Sequence, residues 1–592
     1  MSPKYKQPGV YIEETPKFSP KIDRLATAIP AFIGYTEKNE EDGLTLASNR
    51  LRQIVSLLEF EQYFGSGFPE SLEVTIDNSE EESFVPKILV NPATSISGYS
   101  LYYHVKMFYL NGGGPCYIVS VGTFSPTPLI AVNDLRNGLH ACEEQEGITL
   151  LVIPEITALA SPLEVKEMND AMLAQCAKLN YRFSVIDVPQ SEASNSFQDA
   201  VKFRNDYLGN DNLKFGAAYY PILCSTLIYN RTTDDFIRIA ADKRGKAGAG
   251  IYNEEGETKY SINKLIDQVD PIEPTRASST LIFEDIDIQN HTISVAGNNF
   301  TFGGTSGILA ENAAISASYF AQAVNSNAVV SALVTASTSF NAVTLTALMA
   351  GKAGNNITIN YDAKGNLPGV ILSGSNLSGG FESLDFELFN QIQSKLNAFT
   401  VSLYPSGTMA GIMAKMDSDR GVWKAPANVI VNAVVEPSIS ISNEVHESLN
   451  IDPVGGKSIN AIRKFLGKGT LVWGARTLAG NDHEWRYISV RRLLMMVEES
   501  IKQATKFVAF EVNDSNTWMC VRVMCEDFLY QLWRSGALLG IKPDQAYFVH
   551  VGLGLTMTSV DIAAGRLIIE IGLAPVRPAE FIVLKFTNFI GG

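Results

Sequence analysis

From Ile29 to Ile228 the chain alternates short apolar runs with stretches of helical spacing, and that alternation constrains its fold more than any other feature. Ala31–Gly34, Ile118–Val121, Ile148–Ile153, Phe183–Asp187 and Phe215–Tyr220 are predicted strands. Gln53–Phe64, Gly98–Leu110, Asp134–Gln145 and Leu163–Leu179 carry the helix period between them. Strand and helix in turn specify an α/β layer with parallel strand pairing. The pattern returns after Ser406, with predicted helices over Trp485–Lys506 and Thr517–Leu539 and strands over Phe507–Val512, Ala546–Val551, Arg566–Gly572 and Phe581–Thr587.

Between these halves the composition changes. Residues 229–274 are polar and charged, and residues 275–380 read as a small β-containing insert rich in Asn, Ser, Thr and Gly. Its predicted strands are Leu281–Phe283, Thr292–Val295, Phe300–Phe302, Val329–Thr335, Ala342–Leu348 and Ile357–Tyr361, with a helix over Ile315–Val324. Residues 1–24 hold four prolines around the β-prone run Gly9-Val10-Tyr11-Ile12-Glu13, too little for a core, and so form an extended arm. With 592 residues the chain exceeds what one hydrophobic core organises, and several domains are expected.

Charge narrows the partners. A formal net charge of −16 argues against a nucleic-acid backbone or an anionic membrane surface. The charge-poor stretch Asn312–Gly351 is broken by polar residues before it reaches the ~20 apolar positions of a spanning helix, and no apolar run follows the lysines of the N-terminus as in a secretory signal. The six cysteines are sparse and dispersed, which reads as reduced thiols in the core rather than a disulfide framework.

Catalytic chemistry leaves little trace. Gly455-Gly456-Lys457-Ser458 supplies half of a phosphate loop, but Ile451 stands where the first glycine belongs, so a turn is expected. Gly112-Gly113-Gly114 is followed by Pro115, which has no amide to donate. His446-Glu447 and His483-Glu484 lack the second histidine of a zinc helix, and Cys520 and Cys525 have no second ligand pair nearby. No catalytic residue, cofactor site or metal site is assigned.

Several phrases occur in a fixed order. Pro8–Glu14, Ala31–Thr36, Ser56–Gly65 and Phe108–Gly114 are followed by Asp417–Asn428, Trp473–Leu478, Arg486–Arg492 and Ala574–Ile582. Together they resemble the contractile tail sheath family of myophage tails and phage-tail-like injection systems, over roughly residues 1–228 and 406–592. The resemblance implies a mixed α/β multidomain subunit: an N-terminal strand arm (1–24), an α/β sheath domain (25–228), a polar connecting region (229–274), an outer β-containing insert (275–380), a connection (381–405), a C-terminal sheath domain facing an inner tube (406–577) and a C-terminal strand arm (578–592). The arms add strands to neighbouring subunits through Gly9, Val10, Tyr11, Ile12 and Glu13 and through Phe581, Ile582, Val583, Leu584, Lys585 and Phe586. Trp473, Gly474, Arg476, Arg491 and Arg492 form a family-like structural motif, with Arg476 either bonding local carbonyls or joining domains or subunits.

The implied function is structural and non-enzymatic. Subunits polymerise as a helical sleeve of stacked hexameric rings around an inner tube, with baseplate and terminal cap proteins as further partners and neither nucleic acid nor membrane insertion. The sleeve contracts by lattice rearrangement, without nucleotide, and drives the tube through a target envelope. Assembly in a bacterial cytoplasm is implied, for use in a virion or in a released or envelope-anchored particle. The alternative from a different class is a surface adhesin or carbohydrate-binding protein acting through the polar insert.

Overall fold

The computed structural model describes residues 21–41, 44–45, 48–77, 87–92, 95–191, 195–230, 237–242, 276–284, 287–303, 307–308, 312–350, 352–364, 369–377 and 386–581. The chain divides into two compact units, residues 1–68, 97–230 and 400–592 in the first and residues 69–96 and 231–399 in the second.

The first unit is built on a nine-stranded sheet. Across it the order is Val429–Ile430, Gly469–Val472, Ile459–Phe465, Gly216–Tyr220, Phe183–Asp187, Leu150–Val152, Pro30–Thr36, Cys116–Thr123 and Leu51–Ile54. From Ile459–Phe465 through Cys116–Thr123 every pairing is parallel, and the outer strands at both edges are antiparallel. Residues 30–36, 150–152, 183–187 and 216–220 are buried at every position, as expected of strands covered on both faces. The pairing of Ala218–Tyr220 with Ile459–Ala461 makes one sheet from the two stretches that the sequence sets far apart.

The helices follow local chemistry. Pro162–Leu179 starts with a capping box of Ser161 and Glu164, has proline in its first turn, and ends at Asn180 in the left-handed region. Ser406–Arg420 packs on Leu101–Leu110 with Gly407 and Gly411 at the crossing, where an added Cβ would lie 2.6 Å from the His104 carbonyl oxygen and 2.4 Å from that of Phe108. The N-terminal end of Leu101–Leu110 rests on Glu155, which has no exposed surface. Its carboxylate accepts from the Tyr35 amide at 2.8 Å, the Ser100 amide at 3.1 Å and the Leu101 amide at 3.2 Å. One side chain thus ties the strand Pro30–Thr36 to the start of that helix. Burial pushes its carboxyl up to about 8 against the three amides that favour the charge.

A second core in this unit joins the helices Ile488–Ala504 and Ser515–Arg534 to the hairpin Tyr547–Val551/Ile569–Leu573. The strand expected over Phe507–Val512 is absent. Lys506–Val508 continues the preceding helix as a 3-10 turn, and the amides of Val508, Ala509 and Glu511 donate to carbonyls three residues back. β-prone composition does not make a strand where local bonds take up the backbone.

In the second unit a three-stranded sheet orders Ile237–Asp242, Leu72–Asp77 and Lys87–Pro92. The polar region 229–274 therefore contributes a strand, one that pairs with a segment earlier in sequence. The insert has its own core around Phe283, Phe302 and Phe320, with a four-stranded and a three-stranded sheet and the helix Ala313–Ser326. The strand expected over Val329–Thr335 begins only at Val334, because Asn327 accepts from the amides of Val329 and Val330 and fixes a turn there.

Two outcomes follow from the buried carboxylates. Glu155→Gln replaces one acceptor oxygen with a donor facing an amide and lowers stability by about 1–3 kcal/mol, read from the urea midpoint; an unchanged midpoint removes Glu155 from this role. Asp187, which accepts from the Ser406 amide at 2.8 Å, is raised by burial to about 7 from an ordinary value of 3.8. Its protonated form therefore contributes stability below pH 4 that is lost as pH rises through 7. Relative to Asp187→Asn, the unsubstituted protein becomes less stable between pH 5 and pH 8 in thermal melts.

Candidate functional site: the anchors of the chain ends

The motif residues from the sequence do not form one cluster. They divide into two buried anchors at the chain ends and a set that shapes the sheet edge. Trp473 packs on Phe465 with ring centroids 4.6 Å apart, and its amide donates to the Ala461 carbonyl at 2.8 Å. Gly474 has no room for a side chain, since an added Cβ would lie 2.7 Å from Asn460 Oδ1.

Arg476 is 3% exposed and holds the C-terminal root. Its Nε donates to Glu580 Oε1 at 2.9 Å and its Nη2 to Glu580 Oε2 at 2.7 Å, a two-pronged pair. Asn450 Nδ2 and Tyr487 Oη donate to the same carboxylate at 2.7 and 3.1 Å. Arg476 is itself fixed by the Asn460 side chain, which accepts from its amide and donates to its carbonyl oxygen. Burial opposes the charge on Glu580, but the bonds from Arg476 and Asn450 hold its carboxyl below the ordinary value.

Arg492 is 4% exposed and holds the N-terminal root. Nη1 donates to Asp417 Oδ1 at 3.0 Å and Nη2 to Asp417 Oδ2 at 2.5 Å, while Nη2 also donates to the Thr27 carbonyl at 2.6 Å. The Thr27 hydroxyl donates back to Asp417 Oδ2, closing a ring of three residues. Beyond it, Ile22 is 3% exposed in the second core, and the Leu25 amide donates to Ser500 Oγ. Arg491 serves neither root: it lies between Phe215 and Trp485, 4.5 and 4.8 Å from their centroids, and donates to Asn180 Oδ1 at 2.7 Å. Burial lowers its pKa.

Of the expected arm residues, Phe581 is described and 66% exposed. Gly9, Val10, Tyr11, Ile12 and Glu13, and Ile582, Val583, Leu584, Lys585 and Phe586, lie outside the described residues. Sequence reading missed Glu580, Asp417, Thr27 and Asn450 as partners. Asp417 and Glu580 stood inside two of the ordered phrases, but nothing in sequence pairs them with Arg492 and Arg476.

The expected turns are turns. Asp452 accepts from the amides of Val454, Gly455 and Lys457, and Lys457 Nζ is spent on the carbonyls of Arg204 and Leu208. The Gly113 amide donates to the Phe108 carbonyl at the end of its helix. Among the described residues no group of His, Cys, Asp and Glu could hold a metal ion, and no helix is long and apolar enough to cross a membrane.

Residues 480–588 match the phage tail sheath C-terminal domain family. That stretch of the chain is similar to a phage tail sheath C-terminal domain. Three solved structures share the architecture nearly end to end. The sheath complex of an extracellular contractile injection system, PVC, in its contracted state is 23% identical, with a TM-score of 0.53 over 99% of this chain and 98% of that one. The anti-feeding prophage baseplate in its contracted state is 20% identical, with a TM-score of 0.54 over 98% of each chain. The six-fold symmetrised anti-feeding prophage baseplate is 24% identical, with a TM-score of 0.51 over 99% of this chain and all of that one. No curated protein sequence matches significantly. The mixed α/β fold expected from sequence is the fold found.

Removing one side of the buried N-terminal pair strands the other. Arg492→Ala removes the partner of Asp417, whose side chain is 8% exposed within the pair, at a cost of about 3–5 kcal/mol in chemical denaturation. Arg492→Ala combined with Asp417→Ala recovers part of that loss, and simple additivity of the two single losses would contradict the pairing.

Proposed function

We propose that the chain is the structural subunit of a contractile sheath. Copies polymerise as a helical sleeve of stacked hexameric rings around an inner tube, between a baseplate and a terminal cap, and the sleeve shortens by lattice rearrangement to drive the tube through a target envelope. The observation that carries this reading is the extent of the sheath fold, 98% or more of the chain in each likeness above. It extends well beyond the matched residues 480–588. The role is structural rather than enzymatic. Assembly in a bacterial cytoplasm and use in a phage virion or an injection particle follow from the same reading.

The clamped roots support strand exchange between copies. An arm that bears load needs a fixed point, and Arg492–Asp417 and Arg476–Glu580 supply one at each end. The hairpin Tyr547–Val551/Ile569–Leu573 pairs with no other strand among the described residues, which leaves edges for strands from neighbours. An arm of about five backbone hydrogen bonds at ~0.5–1.5 kcal/mol each contributes on the order of 5 kcal/mol. Many such joints hold a lattice together while its rigid bodies rotate. In this reading the driving force lies in the lattice, and Lys457 is occupied as a helix cap rather than a phosphate ligand.

Deleting residues 2–14 should leave a protein with native circular dichroism that forms no intact sleeve in negative-stain micrographs; full-length contractile sleeves from the deletion would remove the N-terminal arm from the mechanism. Isolated particles triggered by mild acid or denaturant should shorten in nucleotide-free buffer, and a strict need for ATP would overturn the stored-energy reading.

A further inference from the structure

Residues 22–24 and residues 574–576 meet at one loop, Ser535–Leu539, which follows the helix Ser515–Arg534. From the N-terminal side the Arg24 guanidinium donates to Ser535 Oγ at 2.8 Å and lies 5.5 Å from the Trp423 ring centroid. Ile22 shares the second core with Ala537 and Leu538. From the C-terminal side the Leu539 amide donates to the Ala574 carbonyl at 2.7 Å, the Val576 amide donates to the Ala537 carbonyl at 3.1 Å, and Leu538 bridges Pro575. The loop is itself pinned: Gly536 sits at φ +81°, its amide donates to the Trp533 carbonyl, and the Ala537 amide donates to that of Leu532. The side chains of Ala537 and Leu538 thus belong to the core that seats one terminus, while their backbone holds the other.

We infer that Ser535–Leu539 couples the two termini within a subunit: seating of residues 22–25 in the core and ordering of residues 574–576 along the loop stabilise each other. Resting on the reading of both ends as arms between subunits, this makes the arms a linked pair. Engagement of one arm tightens the root of the other, so order passes through a subunit from one neighbour to the next. Coupling of this kind is reciprocal: the factor by which the first root protects the second equals the factor in the opposite direction.

Amide hydrogen exchange of the unassembled full chain tests the coupling without any sleeve. Ile22→Ala, at the N-terminal root, should speed exchange at Leu539 and Val576 by about tenfold, a coupling within the usual range. Val576→Pro, which deletes the bond to Ala537, should speed exchange at Leu25 by the same factor. Val521 and Phe528 in the helix Ser515–Arg534, and Phe32 and Val119 in the central sheet, serve as references and stay protected. In the double variant the two effects should fall short of multiplying. If Ile22→Ala exposes the reference amides as well, Arg24→Ala makes the same measurement from the surface side, with Arg24→Lys restoring protection. Acceleration confined to the altered end, with fully multiplicative double-variant rates, would overturn the coupling. That result would leave the sheath reading untouched, because that reading is tested by sleeve formation.

Discussion

The parallel pairing of Gly216–Tyr220 with Ile459–Phe465 is the contact on which the rest depends. It joins segments more than two hundred residues apart and makes a single sheet from both halves of the chain. The strands Phe183–Asp187, Leu150–Val152, Pro30–Thr36, Cys116–Thr123 and Leu51–Ile54 lie on one side of that seam, and Gly469–Val472 and Val429–Ile430 lie on the other. Asn460 sits in the seam: its Nδ2 donates to the Ala218 and Arg476 carbonyls while its Oδ1 accepts from the Arg476 amide. The arginine that grips Glu580 is therefore oriented by the strand pairing itself. A contact of such sequence separation is expected to form late in folding, since its loop entropy is lost before its bonds are gained.

Electrostatics in the interior is organised around the same frame. Arg476, Arg491 and Arg492 are each 4% exposed or less, and each has a planar partner, a carboxylate for the first and last and two aromatic rings for Arg491. Lysine could supply the charge at these places but neither the fork nor the stacking face. Burying ions is a poor route to stability when an apolar core would serve. Its use beside Thr27 and beside Glu580 fits a demand for fixed direction rather than for stability alone.

Sequence carried the layered core well, because apolar runs such as Phe183–Asp187 and capping signals such as Ser161 with Glu164 are local and agree with the final structure. It failed at Phe507–Val512, where the residue types favour a strand but bonds to carbonyls three residues back take up the backbone, and at Val329–Leu333, where one asparagine side chain sets a turn. At the anchors, Trp473, Arg476, Arg491 and Arg492 could be picked out as a motif, yet their partners could not. Thr27 with Asp417, and Asn450 with Glu580, are brought together only by tertiary contact, and no periodicity reports on them. Ile22 is a similar case: it lies in a proline-flanked stretch that reads as arm, yet it ends up in a core.

Three of the four places where the chain leaves or re-enters the first unit are gathered together. Asn230 Nδ2 donates to Ser66 Oγ at 3.0 Å and to the Gly67 carbonyl at 2.6 Å, and Ile228 pairs with Thr400 across an antiparallel ladder. Departure before Pro69, departure after Asn230 and return at Thr400 therefore share one stitched neck. A neck of this kind makes the insert with its own core around Phe283, Phe302 and Phe320 exchangeable, so long as Ile237–Asp242 still pairs with Leu72–Asp77. Its length enters the stability of the body only through the logarithm of the loop it closes, about 0.6 kcal/mol for each doubling. A designer could therefore graft a foreign domain in place of that insert while the neck and the strand Ile237–Asp242 stay the same.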